Sequence, residues 1–295
     1  MTTSRAARVT VTASGGVALL GLGFVVGSRQ LLRAQAAKAR AIIGKPHGDH
    51  ALDADRTWRK RYGDPVDLLL VGDSIAAGLG AERPKETLGG RLARQLAKRT
   101  QRSVRLRTVA VVGAETSAIA GQLDRLPASY AADVAVIVVG GNDVTHRVPV
   151  ADSVRDLEAA IARLRARGTA VVVGTCPDLG ALRPVPQPLR ALGSRASRQL
   201  ATAQRAGALR AGAHVVSLAH VVGPFFITNP DEMFSLDRFH PSSLGYQRTA
   251  RAMLPSVLAA LGVHDRVPFG HSLPDGASER GEVPGDETRV SPRVP

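Results

Sequence analysis

Val66-Asp67-Leu68-Leu69-Leu70-Val71-Gly72-Asp73-Ser74-Ile75 is the stretch from which the fold can be read. From Val66 to Val71 only Asp67 is polar, which is too continuous for a strand with one wet face. A run of this kind suits a strand buried on both sides, as in a parallel sheet covered by helices. Gly72-Asp73-Ser74 then breaks it with turn-forming residues. Four further runs follow, most of them continuous rather than alternating: Val104 to Val112, Val134 to Val139, Ala170 to Val173 and His214 to Leu218. Helical patterns lie between them, near 87–100, 116–126, 151–167 and 194–211, with a last one near 243–261. In the third, Val154, Leu157, Ile161 and Leu164 recur at helical spacing, and Asp152-Ser153 stands where a cap belongs. Strand–helix alternation predicts an open, doubly wound α/β layer structure with right-handed crossovers. Ligands bind such sheets outside the carboxyl ends of the strands.

The flanks read differently. Val9 to Ser28 carries no charge, and as a helix it would span roughly 30 Å, the hydrocarbon thickness of a bilayer. Residues 1–30 therefore read as a transmembrane anchor, with a cleaved signal peptide ending near Ala34-Gln35-Ala36 as the alternative. Arg29 and Arg33 fall between the apolar run and that site, which favours the uncleaved anchor. Basic residues flank the run on both sides, so the positive-inside rule gives no orientation. Residues 31–62 read as a basic stalk and linker, 63–265 as the catalytic-sized domain, and 266–295, rich in Pro, Gly and charge, as a disordered tail.

Composition excludes several classes. With 295 residues, 44% hydrophobic and 22% charged, the chain is long and apolar enough for a large core. Its single cysteine, Cys176, cannot form an internal disulfide or a multi-thiolate metal site. His47 and His50 are three apart without further ligands nearby, so no metal is expected. The net charge of +14 is nearly all arginine, and aromatics are only 3%, which argues against stacked bases and a nucleic-acid partner. No Gly-Lys-Ser/Thr phosphate loop exists, and Arg83 stands where a dinucleotide fingerprint would need its third glycine.

Chemistry-bearing residues gather at the expected strand ends. Ser74, on a sharp turn after the first strand, can present its hydroxyl as a nucleophile, where an ordinary Asp-Ser turn is the plain alternative. Gly113 follows the second strand and lets a backbone N–H approach a ligand. Gly140-Gly141-Asn142-Asp143 ends the third strand and supplies a neutral amide donor. Asp237 and His240, three apart before the last helix, can pair carboxylate with imidazole. Separately each has an unremarkable structural reading; together they supply the nucleophile, base, orienting acid and oxyanion donors of acyl transfer. His146, Phe234 and Phe239 are further candidates for lining a substrate site.

With Gly72-Asp73-Ser74, Gly113, Gly140-Gly141-Asn142-Asp143 and Asp237-x-x-His240, the sequence resembles the SGNH, or GDSL-type, hydrolases over roughly residues 65–262. Ile75 departs mildly from the usual leucine. Thr175-Cys176-Pro177-Asp178-Leu179 and Arg183-Pro184-Val185-Pro186 look like membrane-associated actinobacterial esterases. The resemblance implies a flavodoxin-like α/β/α sandwich around a parallel sheet of about five strands, and ester hydrolysis without a metal or cofactor. It implies Ser74, His240 and Asp237 as catalytic, with Ser74, Gly113 and Asn142 forming the oxyanion hole. The expected substrate is a short acyl or acetyl ester of a small molecule, glycan or lipid. Acyl transfer to an envelope glycan or lipid, and a catalytically silent binding module, are the alternatives. The anchor points to the cell envelope with the catalytic domain outside; secretion after cleavage or a cytoplasmic face are the other placements.

Overall fold

The structure, a computed structural model, describes residues 27–274. The expected membrane segment falls almost wholly on residues 1–26, outside the described residues. Among the described residues no helix is long and apolar enough to cross a membrane. Residues 27–43 form helix α1. In chain order there follow β1 (Thr57–Trp58), β2 (Gly63–Gly72), α2 (Ser74–Ala77), α3 (Leu88–Thr100), β3 (Arg102–Thr108), α4 (Ile119–Asp124), β4 (Val134–Val138), α5 (Gly141–His146) and α6 (Val150–Arg165). Then come β5 (Ala170–Gly174), α7 (Leu189–Arg210), β6 (His214–Val216), α8 (Leu218–Val221), α9 (Gly223–Thr228), α10 (Pro230–Met233), α11 (Ser243–Ala260) and β7 (His271–Ser272).

The sheet has seven strands in the order β1-β3-β2-β4-β5-β6-β7. From β3 to β6 every neighbouring pair is parallel, and these are the five runs read from the sequence. The expected strand number is corrected by β1 and β7, which pair antiparallel at the two edges. Each has only two residues, too few to leave an apolar run. β1 lies inside the stretch read as linker, and β7 inside the stretch read as tail.

Continuous apolar strands arise because alternate residues feed different layers. Leu68 and Leu70 of β2 pack with α3 and α11, through Leu92, Leu96, Met253 and Val257. Leu69 and Val71 enter the opposite layer with Leu123, Leu157 and Ile161 of α4 and α6. Both faces of the sheet are dry, as the run from Val66 to Val71 requires.

Local signals place most boundaries. Thr87 Oγ1 accepts the Gly90 N–H at 3.1 Å to open α3, and Ser242 Oγ accepts the Gly245 N–H at 3.1 Å to open α11. α6 differs from expectation. It begins after Pro149 without a side-chain cap, and Ser153 is buried in a 3.0 Å hydrogen bond to Thr116 Oγ1. β3 ends at Thr108 rather than Val112, yet Val109 N–H and Val111 N–H still donate to Leu70 O and Gly72 O at 2.9 and 3.0 Å. Because β3 flanks β2 on one side and β4 on the other, the crevice between them opens at the carboxyl ends of β2 and β4.

Candidate active site

The crevice is built on the close parallel pairing of β2 and β4 at their carboxyl ends. At Gly72 the backbone has φ +132°, and a Cβ there would lie 1.9 Å from Val138 O. Only glycine fits. Gln122 clamps the same residue from the other layer, accepting from Gly72 N–H at 2.9 Å and donating to Gly72 O at 2.7 Å. Asp73 then caps α2, its Oδ1 accepting the Ile75 N–H at 2.9 Å. Burial raises the Asp73 carboxyl to about pH 7, and the nearby Asp143 adds to the rise. Ser74 follows as the first residue of α2, where a helix leaves its amides without intrahelical acceptors.

Ser74 Oγ lies 3.0 Å from His240 Nε2, across 166 positions of sequence. His240 Nδ1 lies 2.6 Å from Asp237 Oδ2. With Nδ1 protonated toward the carboxylate, Nε2 is left as the acceptor for the serine hydroxyl. Asp237 is 4% exposed and its second oxygen is fully used. Oδ1 accepts from Ser235 Oγ, Phe239 N–H and His240 N–H, each at 2.9 Å. Burial acts to raise the Asp237 pKa, but the hydrogen bonds from His240 and from the Phe239 and His240 amides overcome it. The carboxyl is held well below the usual range.

Ser74, Asn142, Phe234, Phe239 and His240 line one cleft, which encloses about 800 Å³ including its open mouth. Leu179, Leu182, Leu218, Val222 and Phe226 make the rest of its wall largely apolar. Phe226 and Phe234 meet edge to face at 4.9 Å, and Phe239 meets the His240 ring in the same way at 4.9 Å. Asn142 donates from Nδ2 to Ala114 O at 3.0 Å, which uses one of its two amide hydrogens.

Two residues named from the sequence do not reach this wall. Gly113 sits at φ +81° in the turn after β3 and is not part of the cleft lining. His146 is exposed and pairs through Nδ1 with Glu115 Oε1 at 2.7 Å, bracing the loop outside the cleft. Sequence reading also missed the buried supports. Gln204 joins Cys176 N–H to Val139 O, and Asp143 accepts the Thr116 N–H at 3.1 Å. His47, read as a weak metal candidate, instead lies with Nε2 3.0 Å from Ser235 Oγ. No spacing rule links residues 47 and 235.

A doubly wound sheet with a Ser–His–Asp chain at its switch point defines an SGNH-type hydrolase. The family profile of GDSL-like lipases/acylhydrolases matches residues 70–248, and the chain belongs to this family, whose members are carboxylic ester hydrolases. It is 37% identical over 280 residues to the GDSL-like esterase Rv1075c of Mycobacterium tuberculosis (strain ATCC 25618 / H37Rv), covering 92% of this chain and 88% of that one. Among solved structures it is similar to TesA, with TM-score 0.53 and 22% identity over 66% of this chain and 99% of that one. The lipase Lip_vut3 from a goat rumen metagenome gives TM-score 0.52 and 19% identity, covering 66% and 97%. Axe2, an acetylxylan esterase from Geobacillus stearothermophilus, gives TM-score 0.52 and 17% identity, covering 68% and 96%. These structural likenesses show the fold.

Proposed function

We propose that this chain hydrolyses carboxylic esters through an acyl-enzyme on Ser74. The observation that carries the reading is the continuous chain from Ser74 Oγ to His240 Nε2 at 3.0 Å and from His240 Nδ1 to Asp237 Oδ2 at 2.6 Å. Ser74 Oγ forms a bond to the ester carbonyl carbon as its proton passes to His240 Nε2. Asp237 holds the ring in the productive tautomer and stabilises the imidazolium. Collapse of the tetrahedral intermediate breaks the ester C–O bond, and His240 returns the proton to the leaving alcohol. Water repeats the sequence to release the acid. The free Ser74 N–H and the second amide hydrogen of Asn142 are the donors for the oxyanion, while Gly113, expected as a third, stands back from the cleft lining.

The apolar cleft wall supports an acyl chain of several carbons, and acetyl would leave most of it empty. The substrate class is therefore a short- to medium-chain ester, with Phe226 and Phe234 against the chain. The uncharged run from Val9 to Ser28 supports a membrane tether. A series of p-nitrophenyl esters from two to twelve carbons tests the reading. A kcat/KM maximum at about four to eight carbons, abolished by Ser74→Ala, is expected. Flat chain-length dependence, or turnover that survives in the variant, would refute it.

A further inference from the structure

On the α3–α11 side of the sheet, away from the hydrolytic cleft, a groove holds a concentration of charge that ester hydrolysis does not use. It encloses about 1840 Å³ including its open mouth. Arg91, Arg94, Lys98 and Arg99 come from α3, Arg251 from α11 and Arg59 from the segment after β1. Arg91, Arg94 and Lys98 recur at three- and four-residue steps on one helical face, and Arg99 widens that face by one position. Neither helix contains an acidic residue. Among the described residues none of these six side chains forms an ion pair. Glu86, the acid whose charge acts on Arg91, is held by Arg83 and Ser243.

Arg91 shows what this arrangement lacks. One of its terminal nitrogens donates to Ser243 O at 3.2 Å, while its buried Nε has no acceptor. Burial lowers its pKa despite the Glu86 charge, and Arg94, Arg251 and Arg83 lower it further. Like charges at this spacing repel, and an external anion would relieve that repulsion and pair the exposed cationic groups that have no acidic partner. The floor between the arginines is Leu254 and Leu258. No Phe, Tyr or Trp lines the groove, and its single ring is His264, which leaves bases little to stack on.

We propose that the α3–α11 groove is a docking site for anionic phospholipid headgroups, seating the domain on a negatively charged bilayer. Guanidinium groups match phosphate geometry. An apolar floor beside them suits the glycerol and upper acyl segment of a lipid. The proposal leans on the tether reading only for the presence of a membrane nearby, because the charge pattern stands without it.

The test uses the full chain in lipid nanodiscs, with arginine reactivity toward phenylglyoxal mapped residue by residue. Discs of phosphatidylcholine are compared with discs containing about 30% phosphatidylglycerol. Arg94, Arg99 and Arg251 are expected to react at least fivefold more slowly in the anionic discs, with Arg195 on α7 unchanged. Half-molar salt should remove the protection. Lys98→Glu with Arg251→Glu should abolish it at Arg94 and Arg99, whereas Arg190→Glu with Arg195→Glu should not, and soluble-ester hydrolysis should stay the same in both. Equal reactivity in the two discs, or equal loss in both double variants, overturns the proposal. So does comparable protection by duplex DNA in phosphatidylcholine discs, which would mark a general polyanion surface. Because the readout is local, failure here leaves both the hydrolytic reading and the tether standing.

Discussion

The two walls of the cleft are finished to different degrees. On the Asp237–His240 side every carboxylate oxygen is occupied, and Ser235 N–H donates to His240 O at 2.8 Å to close the loop on itself. On the Asn142 side one amide hydrogen is anchored to Ala114 O, and Gly113 stands back from the lining. The asymmetry follows from when charge is present. Asp237 is ionised before substrate arrives, and a buried charge must be satisfied throughout. An oxyanion exists only near the transition state, so its donors must be placed but left unspent.

The largest expected effect breaks the common point of both walls. Ser74→Ala should lower kcat by at least about 10³-fold while leaving the folded state intact, read by steady-state kinetics and circular dichroism. Asn142→Ala comes next. It should cost about 10²–10³ in kcat with little change in KM, since its free hydrogen is needed only in the transition state. A rise in KM at constant kcat would make it a ground-state binding group instead.

Asp73 sharpens the comparison, because it is a buried carboxylate that the site does not fully satisfy. Its folded pKa is raised to about 7, chiefly by burial. The folded state therefore holds a proton that the unfolded chain releases near pH 4, and stability declines between those values as pH rises. Asp73→Asn keeps the capping oxygen and removes the penalty. Its gain in urea stability should be absent below about pH 4 and grow to a few kcal/mol above pH 7. A gain independent of pH would contradict the burial origin.

Smaller effects lie in the supports. Ser235→Ala removes one of three donors to Asp237 Oδ1 and should lower kcat about tenfold, with Ser235→Thr recovering most of it. His146→Ala should change kcat/KM less than threefold, because its partner Glu115 holds it outside the cleft. A tenfold loss would place His146 in contact with substrate after all.

The legible parts of the molecule were those with a period or a run. The central parallel strands announce themselves because both their faces are buried and nearly every position is apolar, whereas β3, toward the edge, alternates apolar residues with exposed arginines. Ser74 was legible because turn-forming residues end the first run, Asp237 and His240 because they stand three apart before the last helix, and the family likeness connected them. The edge strands were invisible, since Thr57–Trp58 and His271–Ser272 pair through two residues apiece. Gln122 and Gln204 were invisible for another reason. Each lies in a helical pattern as an ordinary polar residue, and only the tertiary meeting of strand ends creates the backbone groups it satisfies: Gly72 at the end of β2 for Gln122, and Val139 and Cys176 beyond β4 and β5 for Gln204. His47 reaching Ser235 is likewise a product of tertiary placement across 188 positions.

Trapping the acyl group tests the central claim most directly. The full chain is mixed with a slowly deacylating ester, quenched in acid within the first turnover and digested for mass mapping. The acyl mass is expected on the peptide containing Ser74 and should vanish in Ser74→Ala, with accumulation slowed in His240→Ala. An acyl group found on Cys176, or steady turnover with no acylated peptide at any time, would contradict it.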